Sequence, residues 1–412
     1  MRTLLTRMGI LFVTIETCWA ADVSIISATT SEIVWTQSFN SAAVTVEQSD
    51  NLVSSPYLPL WVDFVSAGTY TSLVLTVTDS FIRVVSADNA ATPAGMALIP
   101  AGFFQMGENN EAPPNVPGSD EIPVHTVEIS TFYIDQFEVT NEKMREAMQW
   151  AFDNNLIVAT STTVTNSEGQ AQELLDLENT NGMGGHGNGG PPQISFSNGT
   201  FSVDSGKENF PCVFVTWYGA MAFCNYRSDM DGLNRAIDFT DWSIDASKNG
   251  HRLPTEAEWE KAARGGLTGN HYPWNSNAGI YSDHIDESFA NYTDSLDPFD
   301  GTWTNAPELS PVGYYDGNQT PAGEDMSNGY GLYDMGGNVW ELCWDWYEAN
   351  WYGNAGATDN DTQGPESGSF GSRVIRGGSW FNVTLGLRCA NRSFLSPSNY
   401  GSNIGFRCVR MP

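Results

Sequence analysis

Cysteine and histidine are the residue types in this chain that could hold a soft metal ion or carry redox chemistry. The sequence has six cysteines and five histidines. Beyond the first 20 residues the cysteines are widely spaced, without a C-x-x-C pair: Cys212, Cys224, Cys343, Cys389 and Cys408. No histidines have the H-x-H or H-E-x-x-H spacing typical of a zinc site. This distribution favours disulfide bonds in an oxidising compartment, and the odd number leaves at least one thiol unpaired.

Acidic residues dominate the charge of the chain. There are 49 Asp and Glu against 18 Lys and Arg, which gives a formal net charge of −31. Nucleic acids and anionic membranes bind through clustered basic residues, so this balance argues against both as partners. Carboxylates suit hard cations such as calcium, although an acidic surface is also typical of exported proteins.

The N-terminus has the pattern of a signal peptide. Arg2 and Arg7 precede the apolar run Met8–Ile15, and small residues follow at Cys18 and Ala20. The run is too short to span a bilayer, and no other segment approaches the roughly 18 apolar residues of a membrane helix. We therefore expect cleavage after residue 20 and export to the periplasm or the outside, with acylation of Cys18 as the minor alternative.

Residues 21–92 are expected to form a small all-β module. Runs rich in Val, Thr and aromatic residues are separated by turn-forming residues: Val23–Ile26, Ala43–Glu47, Leu58–Val65, Leu73–Val77 and Phe81–Val85. Such short, evenly spaced runs predict antiparallel strands. The pattern weakly resembles a fibronectin type III sandwich. Ala87–Gly95 reads as a linker to a larger domain over residues 93–412.

Three helices are predicted in the larger domain. Thr255 and Glu258 form a capping box that starts a helix through Arg264, before two glycines. Thr140 caps a helix to about Ala151, and Trp217 to Ser228 has an apolar face at helical spacing. The Gly-rich stretch Asn179–Pro192 predicts a surface loop. The other segments predict short strands and long loops.

Several sequence blocks of this domain resemble, in the same order, those of the formylglycine-generating enzyme family. They are MALIPAGFFQMG (96–107), PVHTVEISTFYIDQFEVTN (123–141), PCVFVTWYGAMAFC (211–224), RLPTEAEWEKAARGG (252–266), NGYGLYDMGGNVWE (328–341), RVIRGGSW (373–380) and IGFRCVR (404–410). The resemblance covers about three quarters of the chain. It implies an α+β domain, related to the C-type lectin fold and poor in regular secondary structure.

The resemblance also implies two calcium sites. One would use the oxygens of Asn291, Tyr292, Asp297 and Phe299, and the other those of Asp334, Gly337, Val339 and Glu341. Calcium prefers six to eight hard oxygen ligands, which carboxylates and carbonyls of this kind supply. The alternative is that these residues only form turns.

The chain departs from the family at the oxidation site. Family enzymes place two copper-binding thiols between the G-G-S and R-C-A blocks, where this chain reads SWFNVTLGLR from Ser379 to Arg388. Asn382 and Thr384 lie there, and hard oxygens are poor ligands for copper(I). We therefore expect that this segment does not bind copper. Cys389 matches a structural cysteine of the family, so we identify no catalytic residue.

The resemblance further implies a Cys224–Cys408 disulfide. The family's second bridge cannot form as such, because its other cysteine would fall near Ala262 or Ala263; Cys389 is then free or pairs with Cys343. The frame of the family's groove is present as Trp217, Arg252, Trp340, Arg376 and Ser379. Two hypotheses remain: a repurposed, non-catalytic protein that binds an extended peptide, a glycan or an exported protein, and an oxidoreductase that makes formylglycine in sulfatases.

Overall fold

The structure is a computed structural model of the 412-residue chain. It describes the backbone of seven strands between residues 12 and 88. It describes in full residues 92–108, 120–178, 191–274, 285–293, 297–299 and 308–412.

The strands before residue 92 form a four-stranded sheet of order β1-β7-β4-β5 and a three-stranded sheet of order β2-β3-β6. They are β1 (Phe12–Thr17), β2 (Ser24–Ala28), β3 (Ile33–Gln37), β4 (Ala42–Ser49), β5 (Leu58–Val65), β6 (Gly68–Ser72) and β7 (Phe81–Asp88). The predicted runs correspond to β2, β4, β5 and β7, while Leu73–Val77 lies outside the described residues. Strand β1 lies within the expected signal peptide and pairs in parallel with β7. The fibronectin-like sandwich stays a prediction.

Helices α1 (Asn141–Asp153) and α2 (Trp217–Met230) begin where the sequence predicts and run two residues further than expected. The hydroxyl of Thr140 accepts a hydrogen bond from the N–H of Lys143 at 3.3 Å. Thr216 caps α2 in the same way, because its hydroxyl accepts from the N–H of Gly219 at 3.0 Å. Each cap satisfies a backbone donor that the first helical turn leaves free.

Helix α3 (Glu256–Ala263) confirms the predicted capping box. The Thr255 hydroxyl accepts from the N–H of Glu258, and the Glu258 carboxylate accepts from the N–H of Thr255. The helix ends before Gly265 and Gly266, which both have a positive φ that residues with a Cβ rarely adopt. Local rules thus account for both ends of this helix.

The other described strands are short. They are β8 (Met96–Ile99), β9 (Gly102–Met106), β10 (His125–Ile129), β11 (Phe132–Asp135), β12 (Ile157–Ala159), β13 (Thr163–Asn166), β14 (Glu173–Asp176), β15 (Ile194–Ser197), β16 (Thr200–Val203), β17 (Ile237–Asp238), β18 (Ser243–Ile244), β19 (Trp340–Trp346), β20 (Arg373–Arg376), β21 (Arg392–Leu395), β22 (Ile404–Gly405) and β23 (Val409–Arg410). Single turns of 3₁₀ helix occur at Trp351–Gly353, Ala355–Thr358, Ser369–Gly371 and Thr384–Leu387. This is the mixed α+β fold of low regular structure that the sequence predicts.

The sheet that positions the candidate site has the order β21-β20-β19-β22. Strands β19 and β20 are antiparallel, and β22 joins β19 in parallel near the C-terminus. One apolar core packs α1 and α2 against β12–β16, and a second packs α3 against β8–β11 and β19. Among the described residues, no helix is long and apolar enough to cross a membrane. Of the loop predicted at Asn179–Pro192, residues 179–190 lie outside the described ranges.

Candidate functional site

A tight turn follows β20 at the position where the resemblance places the oxidising thiols. Gly377 and Gly378 have φ values of 90° and 73°, and a Cβ on Gly378 would lie 2.6 Å from the carbonyl oxygen of Gly386. The Ser379 hydroxyl donates to the side-chain oxygen of Asn382 at 2.8 Å, and the Ser379 N–H donates to the same oxygen at 3.0 Å. Asn403 Nδ2 donates to the Ser379 hydroxyl at 3.2 Å. Ser379 is therefore held by amide side chains, and no described residue that could act as a base is hydrogen-bonded to its hydroxyl.

The chain that follows this turn leads to Cys389, whose thiol lies in the core rather than in a cleft. Thr384 begins a 3₁₀ turn, and its carbonyl accepts from the Tyr272 hydroxyl at 3.3 Å. Cys389 is fully buried in the core around α3, and its N–H donates to the His271 carbonyl at 2.6 Å. Burial raises the pKa of the Cys389 thiol to about 12. A thiol that is buried and protonated in this way is less reactive than an exposed one.

The five cysteines after residue 20 are all free and buried in this structure. The sulfur atoms of Cys224 and Cys408 lie 3.4 Å apart. Cys343 and Cys389 both belong to the core around α3. The predicted disulfides, Cys224–Cys408 and the alternative Cys343–Cys389, stay predictions.

The second predicted calcium set lies at the turn before β19. Asp334 has a φ of 58°, and its carboxylate accepts from the N–H of Gly313 at 2.6 Å. Burial raises the pKa of Asp334 to about 6. The Glu341 carboxylate accepts from Arg407 twice at 2.7 Å and from Trp259 Nε1 at 2.8 Å. The carboxylate that calcium would need is thus already bonded to a guanidinium.

The backbone of this set is fixed by close packing. A Cβ on Gly337, whose φ is 103°, would lie 2.4 Å from the carbonyl oxygen of Asn291, so this position needs glycine. Val339 donates its N–H to the carboxylate of Glu138 at 3.2 Å. Within the described ranges, no group of three or more His, Cys, Asp or Glu side chains is arranged to hold a metal ion. Calcium binding at this turn stays a prediction.

Glu138 is a residue of this site that the sequence analysis missed. Its carboxylate also accepts from Asn338 Nδ2 at 2.7 Å. Burial raises the pKa of Glu138 well above its ordinary value, and the charges of Asp334 and Glu341 raise it further. Two buried carboxylates, Glu138 and Glu341, and the partly exposed Asp334 therefore all interact with the cation of Arg407. The only sequence signal for Glu138 is its position inside the block 123–141. Its hydrogen-bond partner Asn338 lies 200 residues further along the chain.

The first predicted calcium set is partly engaged in hydrogen bonds within the protein. It comprises Asn291, Tyr292, Asp297 and Phe299. The carbonyl of Asn291 accepts from the N–H of Asn338 at 2.9 Å, which joins the two sets. The Asp297 carboxylate accepts from the Tyr315 hydroxyl at 2.6 Å and from the N–H of Phe299 at 2.7 Å. The Asp-x-Phe element thus forms a closed turn of its own.

The five residues expected to frame a groove are all buried. The exposed fraction is at most 8% for each of Trp217, Arg252, Trp340, Arg376 and Ser379. Trp217 Nε1 donates to the Cys343 carbonyl at 2.9 Å, and Arg252 forms two hydrogen bonds with Glu258 at 2.6 and 2.7 Å. Arg252 also lines a cavity of about 110 Å³ beside Trp344. In this structure these side chains pack in the interior, and their role in a groove stays a prediction.

Arg376 belongs to a buried charge network at the start of the turn. The Glu260 carboxylate of α3 accepts from Arg376, from Arg264 at 2.7 Å and from the N–H of Gly107 at 2.8 Å. Burial alone would raise the pKa of Glu260, but the guanidinium groups of Arg264 and Arg376 outweigh it and lower that pKa. The network fixes the turn that holds Ser379 against helix α3.

Comparison with known proteins gives one consistent result. The sulfatase-modifying factor enzyme 1-like domain matches residues 82–412. The chain is 31% identical over 339 residues to the formylglycine-generating enzyme of Thermomonospora curvata, covering 77% of this chain and 94% of that protein. It is 31% identical over 335 residues to the inactive C-alpha-formylglycine-generating enzyme 2 of Bos taurus, covering 76% and 87%. The solved structure of PvdO from Pseudomonas aeruginosa aligns with a TM-score of 0.50 at 24% identity, covering 77% and 94%.

Proposed function

Because the chain belongs to the sulfatase-modifying factor family, we propose that it is a non-catalytic, exported member that binds a partner and does not oxidise cysteine. The observation that carries this proposal is the burial of every described thiol. Cys212, Cys224, Cys343, Cys389 and Cys408 each have an exposed fraction of 0%. An oxidase of the family's type needs thiolates that can reach copper and substrate together.

The turn after β20 supports the same proposal. Asn382 lies in the interval between the G-G-S and R-C-A blocks and accepts both hydrogen bonds from Ser379. An amide oxygen is a hard ligand, and a soft copper(I) ion gains little from it. The hydrogen bonds between Ser379 and Asn382 hold the shape of the turn, so it needs no metal for this.

The bovine relative supports a role without catalysis. Its name marks it as an inactive formylglycine-generating enzyme, and it matches this chain over 335 residues. A member of the family can therefore keep the fold and lack the activity, because the fold alone does not determine function. We propose that the partner is an extended peptide, a glycan or an exported protein. The net charge of −31 argues against nucleic acid and anionic membranes.

Calcium is part of this proposal. The residues of the second set fit a divalent cation in charge, because the buried Glu138 and Glu341 and the partly exposed Asp334 all lie near Arg407. Buried carboxylates in excess of cations are costly, and calcium binding would offset that cost. Asp334 and Glu341 would supply side-chain oxygens, and Gly337 and Val339 carbonyl oxygens.

The alternative is an oxidoreductase that generates formylglycine in sulfatases. It is favoured by the match to the Thermomonospora curvata enzyme over 94% of that protein. The two candidates differ in one measurable property, which is turnover of a cysteine-containing sulfatase peptide in air.

The test is aerobic incubation of the purified protein with copper and a sulfatase-motif peptide, followed by mass spectrometry of the peptide. We expect no conversion above a copper-only control. Conversion that disappears in Cys389→Ser, while Cys212→Ser retains it, would overturn the proposal and establish the enzyme. A family enzyme assayed in parallel shows that the peptide and the copper are competent.

A further inference from the structure

The β15–β16 hairpin ends in a two-residue turn made of Asn198 and Gly199. Ser197 and Thr200 pair across the turn, and Asn198 and Gly199 have φ values of 52° and 79°. A positive φ at both central residues is characteristic of a type I′ turn, for which Asn-Gly is a preferred pair because both residues tolerate the left-handed region. The turn explains why this pair is present, and the Asn198 side chain is exposed to solvent there.

The Asn198 side chain and the Gly199 N–H are not held by other parts of the described protein. The Asn198 side chain forms no hydrogen bond with a described residue. The Gly199 N–H donates to no described residue either. A Cβ added at Gly199 would lie 3.7 Å from the Phe152 ring, which is an ordinary contact, so the backbone here is not crowded. No hydrogen bond with a described residue therefore keeps the Asn198 amide away from the Gly199 nitrogen.

These two groups are the reactants in the spontaneous conversion of asparagine to aspartate. The Gly199 nitrogen bonds to Cγ of Asn198 and loses its proton, and the side-chain nitrogen leaves with that proton as ammonia. Water then opens the resulting succinimide ring at either carbonyl, which gives aspartate or isoaspartate, and no electrons are transferred. Glycine in the second position favours ring closure, because it has no Cβ to obstruct the attack and its backbone rotates freely.

The Asn328-Gly329 pair has the same sequence but a closed environment. Asn328 has an exposed fraction of 5%, and its side-chain amide donates to the carbonyls of Ala262 and Ala263 at 2.7 and 3.1 Å. A Cβ on Gly329 would lie 2.2 Å from the carbonyl oxygen of Gly265, so the backbone is tightly packed. Ring closure at Asn328 would have to break these hydrogen bonds in the core.

The Asn249-Gly250 pair is also held. The side-chain oxygen of Asn249 accepts from the N–H of Asn234 at 3.0 Å. Gly250 is buried, and a Cβ there would lie 2.2 Å from the carbonyl oxygen of Asn234. Of the three Asn-Gly pairs within the described ranges, the hairpin pair is thus the one whose asparagine is both exposed and without a hydrogen bond to a described residue.

We infer that Asn198 is a site of spontaneous deamidation, whereas the fold protects Asn249 and Asn328. The product changes the hairpin, because isoaspartate places a side-chain carbon in the backbone and lengthens the turn. Gln149 of α1 holds this hairpin: its side-chain oxygen accepts from the N–H of Phe201 at 2.9 Å, and its Nε2 donates to the Gly199 carbonyl at 3.3 Å. The isoaspartate form therefore weakens the attachment of the hairpin to α1. This inference is independent of the proposed function.

The experiment is a time course of the full chain at physiological temperature and mildly alkaline pH, followed by peptide mapping with mass spectrometry. We expect the peptide that contains Asn198 to gain the mass that replaces NH2 with OH, as separable aspartate and isoaspartate forms. The peptides that contain Asn249 and Asn328 should stay unchanged. The same time course in concentrated urea unfolds the chain, so all three peptides should then deamidate at similar rates.

Gly199→Ala adds a Cβ next to the attacking nitrogen and should slow deamidation of Asn198 severalfold. Gly206→Ala is the matched control, because Gly206 also has a positive φ, of 81°, and no neighbour within 4 Å of an added Cβ. It should leave the rate at Asn198 unchanged. The inference is overturned if Asn198 stays intact in the folded chain, if Asn249 or Asn328 reacts there as fast as Asn198, or if Gly199→Ala does not slow the reaction.

Discussion

The side chain of Asp345 accepts a hydrogen bond from the backbone N–H of Glu256, at 2.7 Å, in the first turn of α3. The contact ties strand β19 to the N-terminus of α3, where a helix favours a carboxylate. Asp345 is nevertheless buried, and burial followed by the charge of Glu256 raises its pKa to about 8. The burial of Asp345 therefore gives the protein a proton-dependent stability, which the hydrogen bond from the Glu256 N–H partly offsets.

We predict that the free energy of unfolding falls as the pH rises from about 5 to 8. The folded state keeps the Asp345 proton up to about pH 8, whereas the unfolded chain loses it near pH 4. The stabilisation is complete below the unfolded pKa and is lost as the pH rises through the folded pKa, by on the order of a few kcal/mol. Urea denaturation at several pH values measures it. Asp345→Asn keeps an acceptor for Glu256 and should flatten the slope; an unchanged slope would refute the assignment.

The second prediction concerns the carboxylate between two buried arginines. Glu260→Gln removes the negative charge that Arg264 and Arg376 share, which leaves the buried Arg264 without its ion pair and Arg376 with only Glu256, at 3.7 Å. We expect a loss of about 3–5 kcal/mol in the free energy of unfolding, measured by chemical denaturation. Glu142→Gln breaks the partly exposed pair with Arg145 on the surface of α1 and should cost less than about 1 kcal/mol. Equal losses in the two variants would contradict this account.

Features governed by neighbouring residues could be predicted from the sequence. Thr140 and Thr255 cap helices where expected, and the glycines after α3 end it as predicted, because caps and turns depend on a few adjacent residues. The spacing of apolar residues identified α2. The α+β class followed from the family blocks, whose order the fold preserves.

Features governed by distant residues could not be predicted. Glu138 forms a hydrogen bond with Asn338, 200 residues away in the sequence, and no local sequence pattern predicts that contact. The burial of Arg376 against Glu260 was not predicted, since it depends on the packing of elements far apart in the chain. The packing of Arg373 against three tryptophans likewise arises only when β19 and β20 pair.

The third prediction is that calcium stabilises the fold through Asp334. Binding to the native state alone raises stability, so a chelator should lower the melting temperature and added calcium should restore it. Asp334→Asn keeps the size of the side chain and removes its charge, so it should abolish part of that response. It tests the site more cleanly than Glu341→Ala, which also breaks the pair with Arg407.

Asp241→Asn is the control for calcium, because Asp241 is an exposed acid that caps a turn through the N–H of Ser243. This variant should respond to chelator as the unmodified chain does. If neither chelator nor added calcium changes the melting temperature, the proposal that the protein binds calcium is wrong.

The last prediction is that Cys224 and Cys408 form a disulfide when the protein is exported to an oxidising compartment. Their sulfur atoms lie 3.4 Å apart in the core, and the resemblance pairs them. A bond between positions 184 residues apart closes a long loop and would stabilise the fold by about 4–5 kcal/mol in the chain-entropy model. Mass spectrometry of the secreted protein without reductant should show a linked pair of peptides. Cys224→Ser should abolish the link and lower the melting temperature, whereas Cys212→Ser should preserve the link; free thiols at both positions in the secreted protein would refute the prediction.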